Sequence, residues 1–147
     1  MAVRKGDQEE GKLKAINAAR ILIDYTYDRV MDKNVCGKAD RWMLIRPIWE
    51  NTVMARQCLI NANDIKVETQ DEAEERLLLE KRVLGYLDSL AAAIDLLNIK
   101  GKISDDRAEY WINLVNDVKY PTQGLIKSNR ADYREKGFLP KPAKKEE

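Results

Sequence analysis

Histidine is absent from the 147 residues. Its absence removes the side chain that titrates nearest neutrality, and with it histidine general-base catalysis, histidine metal sites and the Ser-His and Cys-His nucleophile pairs. Glycine and proline are scarce, at seven and four residues, against roughly 12% combined in average chains, which disfavours a fold built on many tight turns. The glycines stand alone along the chain, so no Gly-rich loop clasps a phosphate. The two cysteines, Cys36 and Cys58, lack the close pairing of a zinc knuckle or redox motif. Reduced thiols in a cytoplasmic chain are the expectation. Long hydrophobic runs are missing too: the stretch 83–100 still carries Asp88 and Asp95 and is too polar for a membrane span. Charges from Arg4 to Lys14 leave no apolar core for a signal peptide. Finally, neither sign of charge dominates. The 26 basic and 25 acidic residues leave a net charge of +1, which excludes a strongly basic nucleic-acid coat and an acidic tail protein.

Charge and helical periodicity are what the chain does have. Charged residues make up 35% of it, above the usual ~25%. Leu13, Ile16, Ala19, Ile23, Tyr27 and Val30 recur at three- and four-residue steps and predict a helix over 12–32. A second run uses Trp42, Ile45, Trp49, Val53, Arg56 and Ile60. Pro47 lies inside it, so the helix is either kinked there or begins its regular part at the proline; a kinked helix over 39–61 is the favoured reading. Thr69-Gln70-Asp71-Glu72 is a capping box that opens a third helix, with Leu77, Val83, Leu84, Leu87, Leu90, Ala91, Ile94 and Leu97 as its apolar positions and Gly101 as its break. Ser104 caps a fourth helix, with Asp105 and Asp106 in its positive first turn and Trp111, Leu114, Val115 and Val118 turned inward, until Pro121 bends or ends it. No strand-like alternation competes. The pattern predicts an all-α, up-down-up-down antiparallel four-helix bundle over 1–128, its first ten or so residues flexible, with a basic, disordered tail over 129–147.

Four-helix bundles can hold a di-iron centre on glutamates and Glu-x-x-His pairs, but without histidine Glu72, Glu74, Glu75 and Glu80 read as solvated acids complementing a helix dipole. No metal, cofactor or catalytic residue is expected. Gly85 in mid-helix costs about 1 kcal/mol relative to alanine. Close approach of another helix, in the same chain or another subunit, would offset that. Trp42, Trp49 and Trp111 sit on helical stripes and read as core or oligomer packing, with a partner anchor as the alternative. Bases gather in two regions. Arg41 and Arg46 lie near the start of the second helix, and Lys127 and Arg130 near the end of the fourth, followed by Arg134, Lys136, Lys141, Lys144 and Lys145. A solvated face is one reading of these bases; phosphate contact by Arg41, Arg46, Lys127 and Arg130 is the other. With so little net charge per chain, nucleic-acid affinity would depend on an oligomer summing several patches.

Several short features occur in an order that carries a resemblance: Arg41 at the start of the second helix, Ala62-Asn63 at its close, Arg76-Leu77-Leu78-Leu79 in the third, then Lys102-Ile103-Ser104, Tyr110 and Gln123-Gly124-Leu125-Ile126-Lys127. Over residues 21–127 the chain resembles the bacterial four-helix-bundle family of ribosomal RNA intervening-sequence proteins and of accessory variability determinant proteins of diversity-generating retroelements. Leu125 and Pro121 depart from that pattern, which tends to show Gly-Trp-aliphatic-Lys. The resemblance implies a non-enzymatic ring-like homo-oligomer, a pentamer, that presents basic surface to RNA or DNA and binds a reverse transcriptase. The competing expectation is a protein-only helical adaptor that docks a partner through exposed aromatics.

Overall fold

A computed structural model describes residues 5–35 and 37–140, with side chains from residue 9 onward. Among them the regular elements are all helical: α1 (Lys5–Met31), a 3-10 turn (Lys38–Asp40), a π-helical turn (Arg41–Ile45), α2 (Arg46–Asp64), α3 (Gln70–Ile99) and α4 (Asp105–Glu135). Among the described residues the chain is all-α, with four α-helices and no strand. Cys36, the first four residues and the distal tail with Lys141, Lys144 and Lys145 lie outside the described residues.

Local chemistry sets the helix ends. Thr69 caps α3, its Oγ1 accepting from the Glu72 amide at 3.3 Å. Glu72 Oε1 accepts from Thr69 Oγ1 at 3.0 Å and from the Glu68 amide at 3.2 Å, reaching one residue further back than the usual capping box. Ser104 Oγ accepts from the Arg107 amide at 3.2 Å and starts α4. α3 stops at Gly101, whose φ of 70° suits a residue without a Cβ. The Gly101 and Lys102 amides then satisfy the carbonyls of Asn98 and Leu97, both at 2.9 Å, a Schellman ending. Pro47 occupies the first turn of α2, directly after the π-helical turn, where the Arg46 amide bonds the Arg41 carbonyl and the change of helix type accommodates the missing proline N–H. Of the two expectations at this proline, the regular helix beginning there is the one observed.

The core is built from Ala15, Ala19 and Leu22 of α1, Ile48 and Leu59 of α2, Val83, Leu87, Leu90, Ile94 and Leu97 of α3, and Trp111, Val115 and Val118 of α4. Residue numbers fall along α4 as they rise along α3, since Arg76 meets Tyr133, Glu80 meets Asn129 and Asp88 meets Lys119.

Three expectations are narrowed or corrected. Of the bend or stop expected at Pro121, the stop is excluded, because Pro121 lies inside α4. The bundle does not stop at residue 128: α4 continues to Glu135 and buries Asn129 and Tyr133, because its last two turns still have α3 to pack on. Beyond Gly137, with φ 80°, Phe138 folds back, its amide bonding the Tyr133 carbonyl at 2.8 Å. Phe138 and Leu139 pack against a second apolar cluster of Ala73, Leu77, Ile126 and Tyr133. The third correction concerns α1, where Leu13 and Tyr27 are exposed and Ala15, Ala19, Leu22 and Thr26 form the buried face.

Candidate nucleic-acid interface

Lys127, Arg130 and Arg134 fall at i, i+3 and i+7 on α4 and so share one face. With Lys81 of α3 they line a groove of about 540 Å³ floored by Leu84 and Ile126, and no carboxylate contributes to its lining. An adjoining hollow, shared with Lys81, Arg130 and Arg134, brings Glu74 to its edge. Two of the four expected phosphate contacts, Lys127 and Arg130, are thus brought together. Lys81 and Arg134 join them.

Arg41 and Arg46 do not line that groove. Arg41 is exposed in the π-helical turn. Arg46 stacks over Trp42 at 5.0 Å and its Nε donates to Glu50 Oε1 at 2.6 Å, so its charge is offset locally. An exposed i, i+4 pair of this kind contributes about 0.3–0.5 kcal/mol, and its main consequence here is a less available guanidinium.

The tryptophans separate. Trp111 is fully buried, its Nε1 donating to Thr26 Oγ1 at 3.1 Å, with Tyr25 edge-on at 5.7 Å. Trp49 is half-buried and meets Tyr27 at 5.9 Å. Trp42 is 72% exposed, so for it core packing is overturned: the turn that carries it precedes α2 and projects it outward. Gly85 is exposed, and a Cβ built on it meets nothing within 4 Å, so the close approach expected for it does not occur among the described residues.

Glu80 is the largest correction. It is not solvated but 0% exposed, because α4 runs over it. Asn129 Nδ2 donates to both of its carboxylate oxygens at 2.9 Å. Burial pushes the Glu80 carboxyl above the usual carboxylate range, opposed by Asn129, Arg76 and Lys12. Arg76 beside it is 6% exposed, and its Nη1 donates to the Tyr133 hydroxyl at 3.4 Å. Burial likewise raises the Tyr133 hydroxyl, and burial followed by Arg76 lowers the Lys12 ammonium. This network borders a cleft of about 570 Å³ that also includes Asn63 and the α2–α3 connection.

The chain matches no family model, and no curated protein or solved structure matches it. Its sites therefore rest on their own chemistry. Among the described residues no Cys, Asp and Glu side chains group to hold a metal ion, and no helix is long and apolar enough to cross a membrane. Cys58 is buried, and burial pushes its thiol up against a smaller downward pull from Arg82. Since the thiolate is the reactive form, a Cys36→Ser variant should be alkylated by iodoacetamide at least about tenfold more slowly when native than when unfolded in urea. Equal rates would contradict the burial.

Proposed function

We propose that this protein is a non-enzymatic accessory protein of a diversity-generating retroelement, an up-down-up-down four-helix bundle that works in the cytoplasm as a homo-oligomer and brings RNA or DNA to a reverse transcriptase. The observation that supports the nucleic-acid part is the groove of Lys81, Lys127, Arg130 and Arg134 with no carboxylate in its lining. Such a groove attracts phosphates through counterion release, independently of sequence. The reverse transcriptase and the pentameric assembly rest on the family resemblance. Several copies would sum grooves that are weak one at a time.

Replacing Arg41, Arg46, Lys127 and Arg130 together by alanine is expected to weaken binding of a structured RNA and to flatten its salt dependence by roughly 0.9 log units per lost phosphate contact. Fluorescence anisotropy across a salt series measures both. Most of the loss should come from the Lys127→Ala/Arg130→Ala pair, because Arg46 is already engaged by Glu50. Unchanged affinity would sink the nucleic-acid reading. A second reading, the protein-only adaptor, is favoured by Trp42 and Met43, which are 72% and 78% exposed on one turn. Light scattering with the RNA and with a reverse transcriptase separates the two: a mass shift with the enzyme alone supports the adaptor.

A further inference from the structure

The cleft bordered by Arg76 lies on a different part of the α4 surface from the basic groove. Its wall carries Lys12, Lys66, Arg76 and Lys136 against Asp64 and Asp132; Lys136 already pairs with Asp132 at 3.0 Å and Lys66 with Glu68 at 3.3 Å. Arg76 is the unusual member. Among the described residues only its Nη1 has a partner, the Tyr133 hydroxyl. Nε and Nη2, the two donors on one edge of the guanidinium, are buried without a hydrogen-bond partner, and so are both side-chain polar atoms of Asn63 on the same wall. The neighbouring Glu80 carboxylate accepts from Asn129 and has no hydrogen bond to Arg76, and among the described residues Arg76 forms no ion pair. A buried donor left without an acceptor costs free energy, more so when it is charged. The Nε–Nη2 edge of a guanidinium is the geometry that takes two oxygens of one carboxylate or phosphate group in parallel hydrogen bonds.

We infer that this cleft is a binding site for a small oxyanion, a phosphate or carboxylate group held bidentately on the Nε–Nη2 edge of Arg76 with the Asn63 amide at its flank. Lys12 fits the same reading. Its ammonium is disfavoured by burial and by the Arg76 guanidinium, an effect that Glu80 and Glu9 offset only in part, and a bound anion would add to that offset. The Asn63 amide, offering a donor and an acceptor side by side, supplies a contact for a hydroxyl or amide next to the charged group. The site does not depend on nucleic-acid binding by the groove.

The test is an NMR titration of the full chain with inorganic phosphate and, separately, with citrate, against sodium chloride at matched ionic strength. The readout is the Nε–H correlation of Arg76, assigned by its loss in Arg76→Lys. This signal lies in the cleft, so phosphate that binds only Lys127 and Arg130 leaves it in place. Saturable movement with phosphate alone assigns a phosphoryl group, with citrate alone a carboxylate, and with both an oxyanion site that does not discriminate. Thermal unfolding provides the second measurement. The active anion should raise the melting temperature of wild type and of Lys127→Ala/Arg130→Ala, and should lose this effect in Asn63→Asp, where a second carboxylate faces the anion. A still signal with both anions, or a response equal to that with chloride, overturns the proposal. If Arg76→Lys fails to fold, selective labelling of arginine and a through-space contact between the Arg76 guanidinium and the Tyr133 ring, which lie within hydrogen-bond reach of each other, assign the signal in the wild-type chain.

Discussion

Replacing Trp111 by alanine should cost about 3–5 kcal/mol, the range for a large buried aromatic truncated in a core that relaxes only partly. The residue is 0% exposed, packs edge-on against Tyr25 and is tied by its indole N–H to Thr26 of α1. Its loss removes the indole contacts to Tyr25 and Thr26 that tie the start of α4 to the end of α1. It also leaves the Thr26 hydroxyl buried with one partner fewer. In a chain of this length each kcal/mol is worth roughly 3 °C of melting temperature, so calorimetry should show a drop on the order of 10–15 °C. Trp42→Ala is the contrast, because an exposed substitution away from caps and core stays within about 0.5 kcal/mol. Comparable losses for the two variants would refute the assignment of one tryptophan to the core and the other to the surface.

That contrast marks what a one-dimensional reading can see. Helix starts and stops were legible at Thr69, Ser104 and Gly101 because each is decided by a side chain or a φ angle within a few residues of the end. The buried faces were less legible. Between Leu13 and Tyr27 the first helix carries apolar residues on nearly every side, so several stripes fit a 3.6-residue period equally well. The small residues Ala15 and Ala19 lie inside, in the same core cluster as Leu125 of α4, which stands 3.5 Å from where a Cβ on Gly11 would be. Packing chose the face, and packing is not periodic. On α2 the same ambiguity placed Trp49, Val53 and Ile60 inward, whereas Ile48, Thr52, Ala55, Cys58, Leu59 and Ala62 are the buried set.

The candidate sites follow the same rule. Lys127, Arg130 and Arg134 share a face by their spacing alone, and that signal was present in the sequence. It was obscured by treating residue 129 as the start of a tail, since helical spacing has no meaning in a disordered segment. Lys81 had no local signal at all, because it joins the groove only through the packing of α3 on α4. Glu80 was the hardest. It follows a capping box and a run of acids, which is where solvated glutamates belong, and its partner Asn129 is 49 positions away.

Glu80 and Asn129 give the second large effect, and it depends on pH. In Asn129→Ala the buried carboxylate loses the donor that meets both of its oxygens, which should cost about 2–3 kcal/mol near neutrality, as expected for a hydrogen bond to a charged group in the interior. The cost should shrink in acid, for the following reason. The folded-state pKa of Glu80 is already raised above 4.5, chiefly by burial. Between 4.5 and that raised value the native state keeps a proton that the unfolded chain has released, so stability falls as pH rises through this window. Asn129 is one of the groups holding the pKa down, with Arg76 and Lys12. Removing it widens the window upward and deepens the loss at neutral pH, while below 4.5 both proteins carry a neutral carboxyl and the gap narrows to that of an uncharged hydrogen bond. Glu80→Gln keeps an acceptor for Asn129 without a titrating proton, so its stability should lack this acid-side slope. Lys12 acts on the opposite side: its lowered pKa makes stability rise with pH in the window that ends at 10.5. Urea midpoints from pH 4 to 8 for wild type, Asn129→Ala and Glu80→Gln test the whole argument. A penalty for Asn129→Ala that stays constant across this range would show that Glu80 does not titrate within it.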